Sequence, residues 1–180
     1  MLQRRAGAKV TFPLCWTNTC CSHPLHTDEE MGRTAGAADD ATGGCRVAAV
    51  RKLEQELGMA VAADDLRYLT RIHYRADSDT MWGEHEIDYI FFSQGDVPFA
   101  PNPNEVEPDD EWGGIRFVDP DQLKAMLQDP QHTFTPWSRM IIDEFLFEWW
   151  DRVRGPRGLQ GLVVSDADRD TIHRLQGAVV

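Results

Sequence analysis

The chain has 180 residues and a formal net charge of −12. Its length suits one domain with a sizeable core, and 42% hydrophobic with 27% charged residues is the balance of a globular protein. The negative field repels nucleic-acid backbones, and no run approaches the roughly 20 apolar residues of a membrane span.

Residues 2–9 read as a strand end followed by a turn at Ala6-Gly7-Ala8. Residues 28–44, rich in Gly, Ala, Asp and Thr, read as a loop. Ala49, Leu53 and Leu57 fall on one stripe and Gly58 stands at the C-cap position, so residues 45–57 are expected to be a helix. Residues 65–74 are expected to form a strand. Residues 86–92 alternate Ile87, Tyr89 and Phe91 against Glu86, Asp88 and Ile90, which is a strand pattern. The proline-rich residues 93–110 form a loop, 111–118 a further strand, and Pro120-Asp121 opens a short helix ending near Gln128. Residues 136–154 make a long helix whose Trp137, Ile141, Phe145 and Trp149 share a stripe widened by Phe147 and Trp150, a face broad enough to cover a sheet. Residues 155–180 read as a poorly ordered tail on a domain spanning 1–154. Strands alternating with helices predict an α/β (α+β) sandwich.

Met1-Leu2-Gln3-Arg4-Arg5 has no apolar stretch behind it, so no secretory signal is read and a cytoplasmic location is expected. Cysteines stand at 15, 20, 21 and 45, and in that setting they are expected to be reduced. Their spacing does not make a zinc ribbon.

The most informative run is Thr17-Asn18-Thr19-Cys20-Cys21-Ser22-His23-Pro24. It sets thiols beside an imidazole on a proline-bounded loop. A thiolate becomes a useful base or nucleophile only where positive charge or metal lowers its pKa. The plainer alternative is a buried loop cysteine with a hydrogen-bonded histidine.

Downstream, Trp82-Gly83-Glu84-His85-Glu86 places Glu84 and Glu86 on one face of an extended chain. Two such carboxylates repel unless a cation or proton sits between them, a geometry suited to a divalent metal with oxygen and nitrogen ligands. A solvated strand edge is the alternative.

Arg51-Lys52-Leu53-Glu54-Gln55-Glu56-Leu57-Gly58-Met59 partly matches the Nudix box. Arg51, Leu53, Glu56, Gly58 and Met59 fit, whereas Lys52, Gln55 and Gly43 stand where acids belong. One acidic ligand remains, which disfavours a diphosphate hydrolase but leaves the fold open. Lys52 and Glu56 lie one turn apart and also read as a simple surface ion pair. Arg4, Arg5 and Lys9 form a basic cluster able to hold a diphosphate, or a merely solvated segment. Trp137 is either a core residue or an indole facing a cationic intermediate.

The Cys loop, the Tyr74-Arg75-Ala76 run and the Trp82-Gly83-Glu84-His85-Glu86-Ile87-Asp88-Tyr89 run, in this order, resemble type I isopentenyl-diphosphate delta-isomerase over roughly residues 2–153. The resemblance implies a Nudix-like mixed sheet flanked by helices. It implies isomerisation of isopentenyl diphosphate to dimethylallyl diphosphate through a carbocation, in isoprenoid biosynthesis, by a monomer whose partner is a small-molecule diphosphate.

Cys21 and Glu86 match the catalytic pair, and Tyr74 matches the tyrosine that bonds the glutamate. Trp137 matches the aromatic facing the carbocation. His23, Glu84 and Glu86 match part of a metal site. Glu56 matches the ligand of a second magnesium, and Arg5, Lys9 and Lys52 match diphosphate-binding positions. The implied cofactor is Mg2+, with Zn2+ or Mn2+ as candidates for a second divalent ion.

The family pattern has two further metal-binding histidines, on a strand preceding the Cys loop, which this chain does not contain, and Leu14 stands where Gly is usual. An isomerase domain lacking N-terminal strand(s) and binding metal weakly is therefore expected. A Nudix-like hydrolase and an inactive isomerase remnant are the alternatives.

Overall fold

The computed structural model describes residues 1–33, 42–108, 114–162 and 164–175. Among these, six strands and five α-helices run in the order β1 (Leu2–Arg4), β2 (Trp16–Asn18), α1 (Gly43–Leu57), β3 (Arg67–Asp77), β4 (Gly83–Phe92), β5 (Ile115–Arg116), α2 (Pro120–Gln128), α3 (Pro136–Ile141), α4 (Phe147–Arg154), α5 (Asp166–Asp170) and β6 (Ile172–Arg174). They build two three-stranded sheets, ordered β2-β1-β5 and β4-β3-β6. The second is mixed, because β4 pairs with β3 antiparallel and β6 pairs with it parallel.

Most expected elements form, with shifted ends. The strand expected at 65–74 runs from Arg67 to Asp77, and that expected at 86–92 starts at Gly83, so β3 and β4 make one long hairpin. Helix α1 starts at Gly43, two residues before the expected start at Cys45. A Cβ on Gly44 would lie 2.1 Å from the carbonyl oxygen of Glu30, so only glycine lets the loop and helix approach this closely. Gly58 ends α1 with φ 63°, and the Pro-rich loop satisfies the freed carbonyls: Ala100 N–H donates to Leu57 O and Asn102 N–H to Glu56 O. Of the strand expected at 111–118 only Ile115–Arg116 forms among the described residues; 109–113 lie outside them, as do 34–41 of the loop expected at 28–44.

The long helix is continuous from Pro136 to Arg154, but Ile142–Leu146 forms a π-turn between α3 and α4. Residues spaced by four drift about 40° per step around an α-helix. One π-turn absorbs an extra residue and cancels most of the drift, holding the Trp137–Ile141–Phe145–Trp149 stripe on one side. Trp137, Met140, Ile141 and Trp149 thereby pack with Leu69, Ile72 and Tyr74 of β3, while Ile142 joins Leu2, Trp16, Leu123 and Met126 in a second cluster.

The reading of 155–180 as a poorly ordered tail is corrected for its described residues. Leu162 is fully buried in the β3/α3 core, β6 extends the sheet beside β3, and Thr70 Oγ1 and Tyr68 Oη donate to the carbonyls of Asp168 and Arg169. Gly-rich, polar composition hid this because the anchors are backbone groups and the scattered Leu159, Leu162, Val164 and Leu175, which carry no periodic signal. Leu162→Ala is expected to destabilise the protein by roughly 2–5 kcal/mol in urea unfolding. A loss near zero would mean that this segment does not cover the core.

Candidate active site

The site forms where the Cys loop meets the outer end of the β3–β4 hairpin. Arg51 on α1 fastens the loop: it pairs with the buried carboxylate of Glu30 at 2.5 and 3.0 Å and donates to the carbonyl of His23 at 3.1 Å. The Nudix-box arginine thus acts here as an anchor for the loop that carries Cys21 and His23.

Period-two alternation along β4 puts Glu84, Glu86 and Asp88 on the face turned toward that loop. His23 Nε2 lies 2.6 Å from Glu86 Oε1, Tyr74 Oη donates to Glu86 Oε2 at 3.3 Å, and Thr11 Oγ1 donates to Glu84. One ligand atom each from His23, Glu84 and Glu86 falls within 4.8 Å of the others. One imidazole nitrogen and two carboxylate oxygens at this separation fit a divalent cation.

The electrostatics of the cluster are those of a site short of positive charge. The hydrogen bond between His23 and Glu86 raises the histidine and lowers the glutamate from their ordinary values. Burial, and secondarily Glu86, raises Glu84; burial, then the Glu86 charge, pushes Asp88 up to about 7. Asp88 had no role assigned to it from sequence, although it continues the 84, 86 alternation by one more step.

A carboxyl raised in the folded state keeps its proton there longer than in the unfolded chain. Stability is therefore lost progressively as pH rises from the unfolded value of Asp88 to about 7. Asp88→Asn is expected to be more stable than the parent at about pH 8 and no more stable at about pH 4, both in chelator. Parallel stability curves for the two proteins would overturn this account of Asp88.

Cys21 sits on the apolar side of the cluster, packed with Phe12 against the core that contains Tyr74 and Trp137. Burial, reinforced by Asp88, pushes its thiol up to about 12. Cys20 turns the other way, 3.5 Å from a Glu56 carboxylate oxygen. Tyr74 is also raised by burial and the facing carboxylates, and stays a neutral donor.

Trp137 is buried, with Phe12 edge-on at 5.4 Å and Tyr74 at 6.0 Å. The Arg5 guanidinium lies 5.3 Å from its ring centroid, so this indole already carries a cation over its face. Arg5 also donates to the carbonyls of Thr11 and Phe12, shaping a loop in which Phe12 and Leu14 take positive φ of 47° and 61°. The left-handed backbone at Leu14 is the conformation that glycine adopts without strain.

The remaining candidates group around Glu56. It is buried, 4% exposed, and is met by Lys52 Nζ at 3.0 Å, Lys9 Nζ at 3.7 Å and the Gln3 amide at 2.9 Å. Lys9 also pairs with Glu105. The Lys52–Glu56 pair is thus no simple surface ion pair. Glu56 is not part of the His23–Glu84–Glu86 trio; vicinal Cys20 and Cys21 link the two groups. Asn18 and Thr11 are the other contacts that were not assigned roles from sequence, because only the fold brings them to Cys21, Trp137 and Glu84.

Among the described residues no helix is long and apolar enough to cross a membrane. Residues 1–138 match the model of the NUDIX domain. An isopentenyl-diphosphate delta-isomerase of Gibberella zeae is 49% identical over 85% of this chain and 58% of its own length. One of Phaffia rhodozyma is 47% identical over 94% of this chain and 64% of its own length, and one of Camptotheca acuminata is 43% identical over 97% and 71%. The chain therefore spans less than two thirds of the first two relatives. With the degenerate Nudix helix, the paired Cys and Glu motifs and this similarity in hand, the chain belongs to the type I isopentenyl-diphosphate delta-isomerase family of NUDIX-domain proteins.

Proposed function

We propose that this chain isomerises isopentenyl diphosphate to dimethylallyl diphosphate by moving a proton across three carbons. The observation that carries the reading is the cluster in which Tyr74 binds Glu86, Glu86 binds His23, and Cys21 packs against the core that contains Tyr74 and Trp137. A 1,3-proton shift needs one group to deliver a proton to C4 of the alkene and another to remove one from C2. Between the two steps the positive charge rests on C3. An apolar pocket with an indole face and nearby carboxylates stabilises that charge and excludes water. Cys21 and Glu86 are the two proton-transfer groups, Tyr74 orients Glu86, and Trp137 would face the cation once Arg5 leaves its ring for the diphosphate.

His23, Glu84 and Glu86 would hold a divalent cation, for which Mg2+ is proposed. When bound, it offsets the carboxylate charge and draws a diphosphate to a chain of net charge −12. Arg5, Lys9 and Lys52 supply the local cations for the diphosphate, with Glu56 holding the two lysines together. Glu56 would take a second ion only after parting from them.

The test is incubation with isopentenyl diphosphate and Mg2+ in deuterated water. Dimethylallyl diphosphate with deuterium in a methyl group supports the reading. Release of phosphate without an isomeric product would point instead to a hydrolase, and recovery of unlabelled substrate would refute the proton shift.

A further inference from the structure

We propose that Asn18 is a positioning residue that sets the Cys21 thiol and the Trp137 indole in fixed register; its catalytic consequence rests on the isomerase reading. Asn18 ends β2, and its side chain reaches four groups. Its Oδ1 accepts from Trp137 Nε1 at 3.1 Å, from Thr17 Oγ1 at 2.9 Å and from Cys21 Sγ at 3.3 Å, while its Nδ2 donates to the Cys20 carbonyl at 2.7 Å. The orientation of the amide is dictated by its partners. An indole N–H only donates and a peptide carbonyl only accepts, so neither end of the amide exchanges with the other. Cys21 therefore faces an acceptor, and its S–H points along a defined line.

The amide is itself held. Thr17 Oγ1 lies 2.9 Å from Thr135 Oγ1, both residues are fully buried, and Thr135 N–H donates to Trp16 O. With Thr17 donating to Asn18, Thr135 donates to Thr17, and a chain of hydrogen bonds runs from the start of α3 through β2 to the thiol. Cys21 and Trp137 are 116 positions apart in the 180-residue chain, and this amide hydrogen-bonds to both. A proton donor or acceptor and the ring that faces the resulting cation must keep their separation to within a fraction of an ångström, since displacement of about 1 Å costs on the order of 10²-fold in rate.

Asn18→Ala removes both contacts and Asn18→Asp keeps an acceptor oxygen. We expect kcat to fall roughly 10- to 100-fold in Asn18→Ala with KM for isopentenyl diphosphate changed by less than about threefold, and Asn18→Asp to recover part of the loss. The direct readouts are the Trp137 indole N–H resonance, assigned with Trp137→Phe, and the rate of Cys21 alkylation at fixed pH, localised by peptide mapping. Both should change in Asn18→Ala, and the indole resonance should return toward its original position in Asn18→Asp. Unchanged resonance and alkylation in a folded variant would overturn the proposal, as would unchanged kcat. Should Asn18→Ala not fold, the same comparisons are made with Asn18→Asp, whose indole resonance must stay near the parent's. If the parent chain shows no turnover, the isomerase reading fails, and the resonance and alkylation rates still decide whether Asn18 holds the two groups.

Discussion

Replacing Cys21 with alanine is expected to lower dimethylallyl diphosphate formation by at least about 10³-fold, within the range lost when a positioned acid or base is removed. The thiol stands at the apolar side of the carboxylate cluster, packed against the core that contains Tyr74 and Trp137. Water entering the space left by alanine would have no fixed orientation toward the alkene and would quench the cation. Cys21 is not one of the three residues whose ligand atoms converge, so metal titration of Cys21→Ala should match the parent. Turnover within tenfold of the parent would remove Cys21 from the mechanism. Parallel loss of metal binding would show instead that the mutation had collapsed the loop.

Glu86→Gln is expected to cost at least as much turnover, about 10³-fold or more, and to weaken metal binding as well by roughly 10- to 100-fold. Glu86 meets His23 at 2.6 Å and Tyr74 at 3.3 Å, and it contributes to the ligand trio. Glutamine keeps the shape and loses the charge. Two independent readouts accompany the rate. His23, held above its ordinary value chiefly by its hydrogen bond to Glu86, should titrate lower in Glu86→Gln, followed by the imidazole resonance. Isothermal titration with Mg2+ and Mn2+ should show weaker binding. An unchanged His23 titration would mean that the pair seen here does not persist in solution, and unchanged metal binding would remove Glu86 from the ligand set.

The same residue shows how far local pattern carries. Alternation along 84–92 is enough to place Glu84 and Glu86 on one face, because strand geometry has period two wherever the chain is extended. Local rules also located α2 from Pro120 to Gln128, where Asp119 and Gln122 form a capping box, and the end of α1 at Gly58. They failed for the described residues of 155–175, which are held by pairing with β3 and by the scattered Leu159, Leu162, Val164 and Leu175, neither of which has a signature within its own window.

By itself the sequence determined the motifs that identify the family, the faces of the strands and helices, and the residue types available for proton transfer and metal binding. These are properties of neighbouring residues and survive in any fold that keeps the chain extended or helical there. Only the tertiary structure decided which of them meet. It joined His23 to Glu86 across 63 positions, placed Asn18 between Cys21 and Trp137, and set Glu56 among lysines rather than among the converging carboxylates. Such contacts arise from long-range packing, in which a residue's partners are chosen by the shape of the whole core and leave no trace in local spacing.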